Sequence, residues 1–181
     1  MFEIDETTKL RTLYGLGFDV DNLNVDKIVF VPMHQYKVSS EKEEMLYVFG
    51  LQCCVGVYAY SNNWGFASHI NTKVMRGDDY QLDSNKNPIR CSRIDDLKRE
   101  ILSRKIIDEP VKIGVALSDA PLSKFYPTMR MVYEGIDILI KELSSMGIEV
   151  EQLEDITAPE FLLSIEEGKI IAPYFDKKNL K

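Results

Sequence analysis

Apolar residues alternate with polar ones or cluster in short blocks along most of the chain, while two longer segments carry a helical spacing. Short blocks with period-two alternation read as strands. They predict strands over 28–32, 45–50, 54–60, 65–72, 111–117 and 148–153, with 34–38 continuing extended. A last hairpin is expected from 161–165 and 169–174 around Glu166-Glu167-Gly168. In one helix Ser92 reads as the N-cap with Asp95 three residues on, and Ile94, Leu97, Ile101 and Leu102 share a face. In the longer one Thr128 reads as the cap and Gly147 as the C-terminal stop. Met129, Val132, Tyr133, Ile136, Leu139, Ile140 and Leu143 form its apolar stripe. Residues 73–91 read as a long polar loop. Hairpins at both ends predict an α+β fold: a mixed, largely antiparallel sheet with two main helices packed on it.

The turn around Asn62-Asn63 decides the register. A two-residue turn there, or a four-residue loop, sets Cys54 opposite Asn71 and Gly56 opposite His69, whereas a five-residue loop over 61–65 would set His69 opposite Val57 and turn it to the other face. Paired residues share a face, so Cys54 and His69 become diagonal cross-strand neighbours, ~7–8 Å apart at the backbone. The missing side chain at Gly56 is expected to leave room for the imidazole, in a cleft open to solvent. Strand alternation sends Cys53 to the other face, with Val55 and Val57. A thiol beside an imidazole is the minimum for a cysteine nucleophile, with His69 either taking the thiol proton or stabilising a thiolate. Against this stand the usual roles of such residues, a small buried hydrophobe for cysteine and a hydrogen-bonded structural group for histidine.

Composition narrows the classes. The 181 residues carry 22 basic and 29 acidic side chains, a net charge of −7, which disfavours nucleic acid and anionic membranes as partners. Three cysteines, two adjacent, do not make a disulfide scaffold and point to a reducing cytoplasm. The acidic, polar first ten residues do not read as a signal peptide, and no apolar run reaches membrane-spanning length. The chain reads as one domain over 1–181, with a lead-in over 1–26 holding a short helix near 8–14, and a tail over 175–181.

Gly50-Leu51-Gln52-Cys53-Cys54-Val55-Gly56-Val57, followed by Gly65-Phe66-Ala67-Ser68-His69, resembles the core of the CheD family of chemoreceptor glutamine deamidases. Leu51-x-x-Cys54 is also similar to a segment of the deamidating necrotizing-factor toxins. Gln35-Tyr36-Lys37-Val38 and the closing 161–173 hairpin extend the match. Val48 stands where the family has a threonine, and Gln52-Cys53 where it has Gly-Ser. The resemblance implies a CheD-like fold and a protein-glutamine deamidase with Cys54 as nucleophile and His69 as general base and acid. It further implies a chemoreceptor as substrate, a chemotaxis regulatory protein as partner, and no cofactor.

Other roles stay open. Cys53 or Cys54 is expected to supply oxyanion N–H donors; Gln52, Ser68, Tyr47 and Asn71 are candidates to orient the pair. No metal site is expected, since only one of the adjacent cysteines can join His69. His34 reads as a loop residue, and Asp78, Asp79 and Asp83 as a solvated acidic loop. Two alternatives remain: a non-enzymatic interaction module of the same fold, and a hydrolase of small amides.

Overall fold

The structure, a computed structural model, describes residues 13–14, 24–72, 78–104, 109–118 and 126–172. The lead-in helix near 8–14 (all but its last two residues) and the tail over 175–181 lie outside these. Among the described residues the fold is α+β. Its strands are β1 (Ile28–Phe30), β2 (Tyr36–Ser39), β3 (Met45–Val48), β4 (Cys54–Ser61), β5 (Trp64–Asn71), β6 (Tyr80–Leu82), β7 (Pro88–Cys91), β8 (Val111–Leu117), β9 (Val150–Gln152), β10 (Ile156–Thr157), β11 (Phe161–Ser164) and β12 (Lys169–Ile171). The helices are α1 (Ser92–Ser103) and α2 (Tyr126–Ser145).

The larger sheet runs β10-β8-β4-β5-β2, with β9 pairing along β8, and the smaller one runs β1-β3-β11-β12. Both mix parallel and antiparallel pairs. Every residue of β4 and β5 is buried, because each face of the larger sheet is covered. On one face Val55, Val57, Phe66, Ile113 and Val115 meet the stripes of the helices, Ile94, Leu97 and Ile101 from α1 and Val132, Ile136, Leu139 and Leu143 from α2. On the other, Cys54, Tyr58, Tyr60 and Ala67 meet Leu46, Val48, Phe161 and Leu163 of the smaller sheet. The order is therefore helices, large sheet, small sheet. Burying a Val, Leu or Phe side chain contributes about 1.5–3 kcal/mol, so the two faces of β4 and β5 anchor all three layers.

Local stops follow the chain chemistry. After α2, Gly147 adopts φ 81°, its N–H donates to Ser144 (3.0 Å), and Ile148 N–H donates to Leu143 (3.0 Å). That is a Schellman stop, and glycine meets its left-handed requirement without strain. Three expectations need correction. Residues 73–91 are not a single loop, since β6 and β7 form a hairpin within them. Ser92 is the first helical residue, not the cap; the cap position is Cys91. Helix α2 begins at Tyr126, and Thr128 Oγ1 donates to the Thr72 carbonyl (3.1 Å) instead of capping. No helix among the described residues is long and apolar enough to cross a membrane.

Candidate functional site

The β4–β5 hairpin closes through Asn62-Asn63 with Ser61 opposite Trp64, which sets Cys54 opposite Asn71 and Gly56 opposite His69. The register is the one the turn chemistry predicts. Cys54, Gly56, His69 and Asn71 therefore share the face turned toward the smaller sheet, and Cys54 and His69 are diagonal neighbours.

The surroundings of that face differ from expectation in two ways. The space above Gly56 is taken by Phe161, whose Cε1 lies 2.5 Å from where a Cβ would stand. The glycine admits an aromatic ring from β11, not the imidazole. Nor is the site an open cleft, because Cys54 is 5% exposed and His69 3%. Both apolar layers have closed over the strands.

Burial governs the imidazole. It lowers the His69 pKa from 6.5 to about 4, against the smaller opposing effects of the Val31 backbone and the Asp79 carboxylate, with His34 adding slightly to the fall. The Val31 backbone approaches the ring, yet neither ring nitrogen has a partner at hydrogen-bond geometry. At neutral pH the ring is thus uncharged. It can accept a proton from a thiol, but a standing imidazolium that stabilises a thiolate is not available.

Upstream of Cys54 the chain makes a 3-10 turn, Leu51–Cys53, entered through Gly50 at φ 74°. Cys53 ends this turn, so the alternation that was to separate it from Cys54 does not reach it. The Cys54 N–H donates to the Leu51 carbonyl, which removes it as an oxyanion donor. The Leu51 N–H donates to the Pro159 carbonyl (2.8 Å), tying the turn to the smaller sheet. Gln52 is exposed at the surface of the turn, and its carbonyl accepts from Ser118 Oγ (3.2 Å).

The other candidates separate. Ser68 pairs with Val57 on the helix-facing side and donates to the Val57 carbonyl (3.1 Å), so it does not share the face of His69. Tyr47 packs with Ile28 and Leu162, apart from the cluster that holds Cys54, and donates to Glu160 Oε2 (2.9 Å). Val48 does face the Cys54 cluster, where it offers no hydrogen bond. Asn71 remains on the right face, its Nδ2 directed at Met33 Sδ (3.2 Å). Cys91, expected in a polar loop, is 1% exposed, and burial pushes its thiol up to about 11.

The sequence reading missed one group. Asp79 is not a solvated loop residue but fully buried. Its Oδ2 accepts from His34 Nδ1 (2.6 Å) and from the Asn71 N–H (3.1 Å), and its Oδ1 from Arg93 Nε (3.3 Å). Arg93 also reaches the Asp78 carbonyl and Asp96 (2.6 Å). The only sequence signal was an acidic residue just before β6, which did not mark it out from its neighbours. Among the described residues no three His, Cys, Asp or Glu side chains are grouped to hold a metal ion. A cavity of about 190 Å³ between α1 and α2, lined by Ile94, Lys98, Ile138 and Glu142, lies on the opposite side of the large sheet from Cys54. No protein-family model and no curated protein matches the chain.

Proposed function

We propose that the protein is a cysteine hydrolase, a CheD-like protein-glutamine deamidase that converts glutamine side chains to glutamate. The observation that carries this reading is the β4–β5 register, which puts a thiol and a neutral imidazole on one face of adjacent strands. Neutral His69 takes the Cys54 proton as the sulfur attacks the carboxamide carbon. The resulting imidazolium returns the proton to the departing nitrogen, so that ammonia leaves and a thioester remains. Water then cleaves the thioester to carboxylate and thiol. A carboxamide nitrogen leaves poorly unless protonated, which is why a histidine must stand beside the sulfur. The substrate side chain enters from the side of the exposed Gln52, past the 3-10 turn. A chemoreceptor in the cytoplasm, with a chemotaxis regulatory partner, is the substrate setting that the Gly50–Val57 and Gly65–His69 resemblance supports.

Burial favours a second reading. Cys54 and His69 are nearly inaccessible, and Phe161 of the smaller sheet fills the space above Gly56, which shares their face. An interaction module that keeps the fold without turnover would have such a packed interior. Ammonia release from chemoreceptor cytoplasmic fragments, compared between wild type and Cys54→Ala, separates the two. Release that depends on Cys54 supports the hydrolase, and equal background from both proteins supports the module.

A further inference from the structure

The turn ahead of β2 holds a histidine in a backbone conformation suited to glycine. His34 has φ 65° and is the third residue of the 32–35 turn, closed by Gln35 N–H donating to the Pro32 carbonyl (3.1 Å). Its own N–H donates to the His69 carbonyl (2.9 Å), while the His69 N–H donates to the Gln35 carbonyl (3.0 Å). Two residues thus stand opposite His69 in a bulge whose first position is normally glycine. A side chain kept at positive φ persists only where its surroundings hold it, and bulges of this kind re-aim side chains next to sites.

What holds His34 is Asp79. With Nδ1 donating to the buried carboxylate at 2.6 Å, the neutral form of the ring offers Nε2 as a proton acceptor. The same carboxylate oxygen accepts the N–H of Asn71, the residue paired with Cys54. Arg93 on the second oxygen fixes the carboxylate from α1. A base oriented by a buried acid is the arrangement that acid–base catalysis on acyl groups uses. His34 also keeps 15% of its side-chain exposure, so water can approach it, whereas His69 is closed off at 3%.

Resting on the cysteine-hydrolase reading above, we propose that His34, oriented by Asp79, is the base of deacylation, acting on the water that cleaves the Cys54 thioester. The water oxygen bonds to the acyl carbon as one of its protons passes to His34 Nε2. The carbon–sulfur bond breaks and Cys54 leaves with the bonding pair as thiolate. The proton on His34 returns to the sulfur through solvent, restoring thiol and neutral imidazole. His69 thereby serves acylation, next to the sulfur, and His34 serves hydrolysis, next to water.

The test uses p-nitrophenyl acetate as the acyl probe, followed by removal of excess ester and intact-mass measurement of the decay of the acetyl-enzyme. Peptide mapping locates the acetyl group. His34→Asn is the decisive variant, since asparagine tolerates positive φ and can donate to Asp79 but cannot act as a base. It is expected to form acetyl-Cys54 as the wild type does and to lose the acetyl group about 10²-fold more slowly. Added imidazole should restore deacetylation to His34→Gly. Deacetylation of His34→Asn at the wild-type rate overturns the proposal, as does failure of that variant to acetylate when the wild type does. If the wild type itself takes no acetyl group at Cys54, the hydrolase reading falls and this proposal falls with it.

Discussion

At the scale of single residues, the decisive property is the charge state of His69. Its pKa falls from 6.5 to about 4 because the folded layers exclude water from the ring. The folded state therefore binds this proton less readily than the unfolded chain does. Stability contributed here is fully present above the unfolded pKa and falls as pH drops from about 6.5 toward 4, levelling off below that. The fall in pKa corresponds to ~3 kcal/mol. Imidazole NMR on a chain with only two histidines reads this directly, with His34→Asn providing the assignment. The His69 resonance is expected to stay flat from pH 8 down to 5 and to move only near 4. A His69 midpoint near 6.5 would mean that the ring is solvated and the layers are open.

At the scale of elements, the β4–β5 hairpin was legible because the two residues of its turn dictate one register, and a slip would have exposed every apolar side chain it now buries. The α2 stripe was legible for the same kind of reason, a period that repeats from Met129 to Leu143, about four turns. What was not legible came from contacts between distant segments. Gly56 showed a missing side chain but not what enters the gap, because Phe161 arrives from a strand more than a hundred residues later. Asp79 gave no sign of burial, since its partners His34, Asn71 and Arg93 come from three other elements. The 3-10 turn Leu51–Cys53 is likewise invisible to alternation alone, so the strand period assumed for Cys53 starts only at Cys54. The Phe161 contact leads to a stability prediction. In Gly56→Ala the new methyl meets a packed ring at 2.5 Å, and relieving it requires the Phe161 ring to move within a buried layer. Overpacking of this kind costs roughly 1–3 kcal/mol, so urea denaturation should show a lower midpoint with an unchanged slope. Adding Phe161→Leu should recover part of the loss, whereas full wild-type stability of Gly56→Ala alone would contradict the described packing.

At the scale of the whole molecule, the hydrophobic layers that hold the strands in register also enclose the groups proposed to react. Helices on one face and the smaller sheet on the other bury β4 and β5 completely. The Asp79 network fastens the turn before β2, the end of β5 and the start of α1 to one another, so the site is built at the meeting of all the layers and not on a single loop. The central claim is that His69 acts as a base on the Cys54 thiol within this enclosure. It is tested most directly by the rate of iodoacetamide labelling at each cysteine near neutral pH, mapped by peptide, in wild type and His69→Gln. Cys91, 1% exposed with its thiol pushed up to about 11, is the internal reference for an intact fold. The account predicts that Cys54 labels well ahead of Cys91 and that His69→Gln slows Cys54 while leaving Cys91 protected. A Cys54 rate unchanged by His69→Gln, with Cys91 still protected, would contradict it.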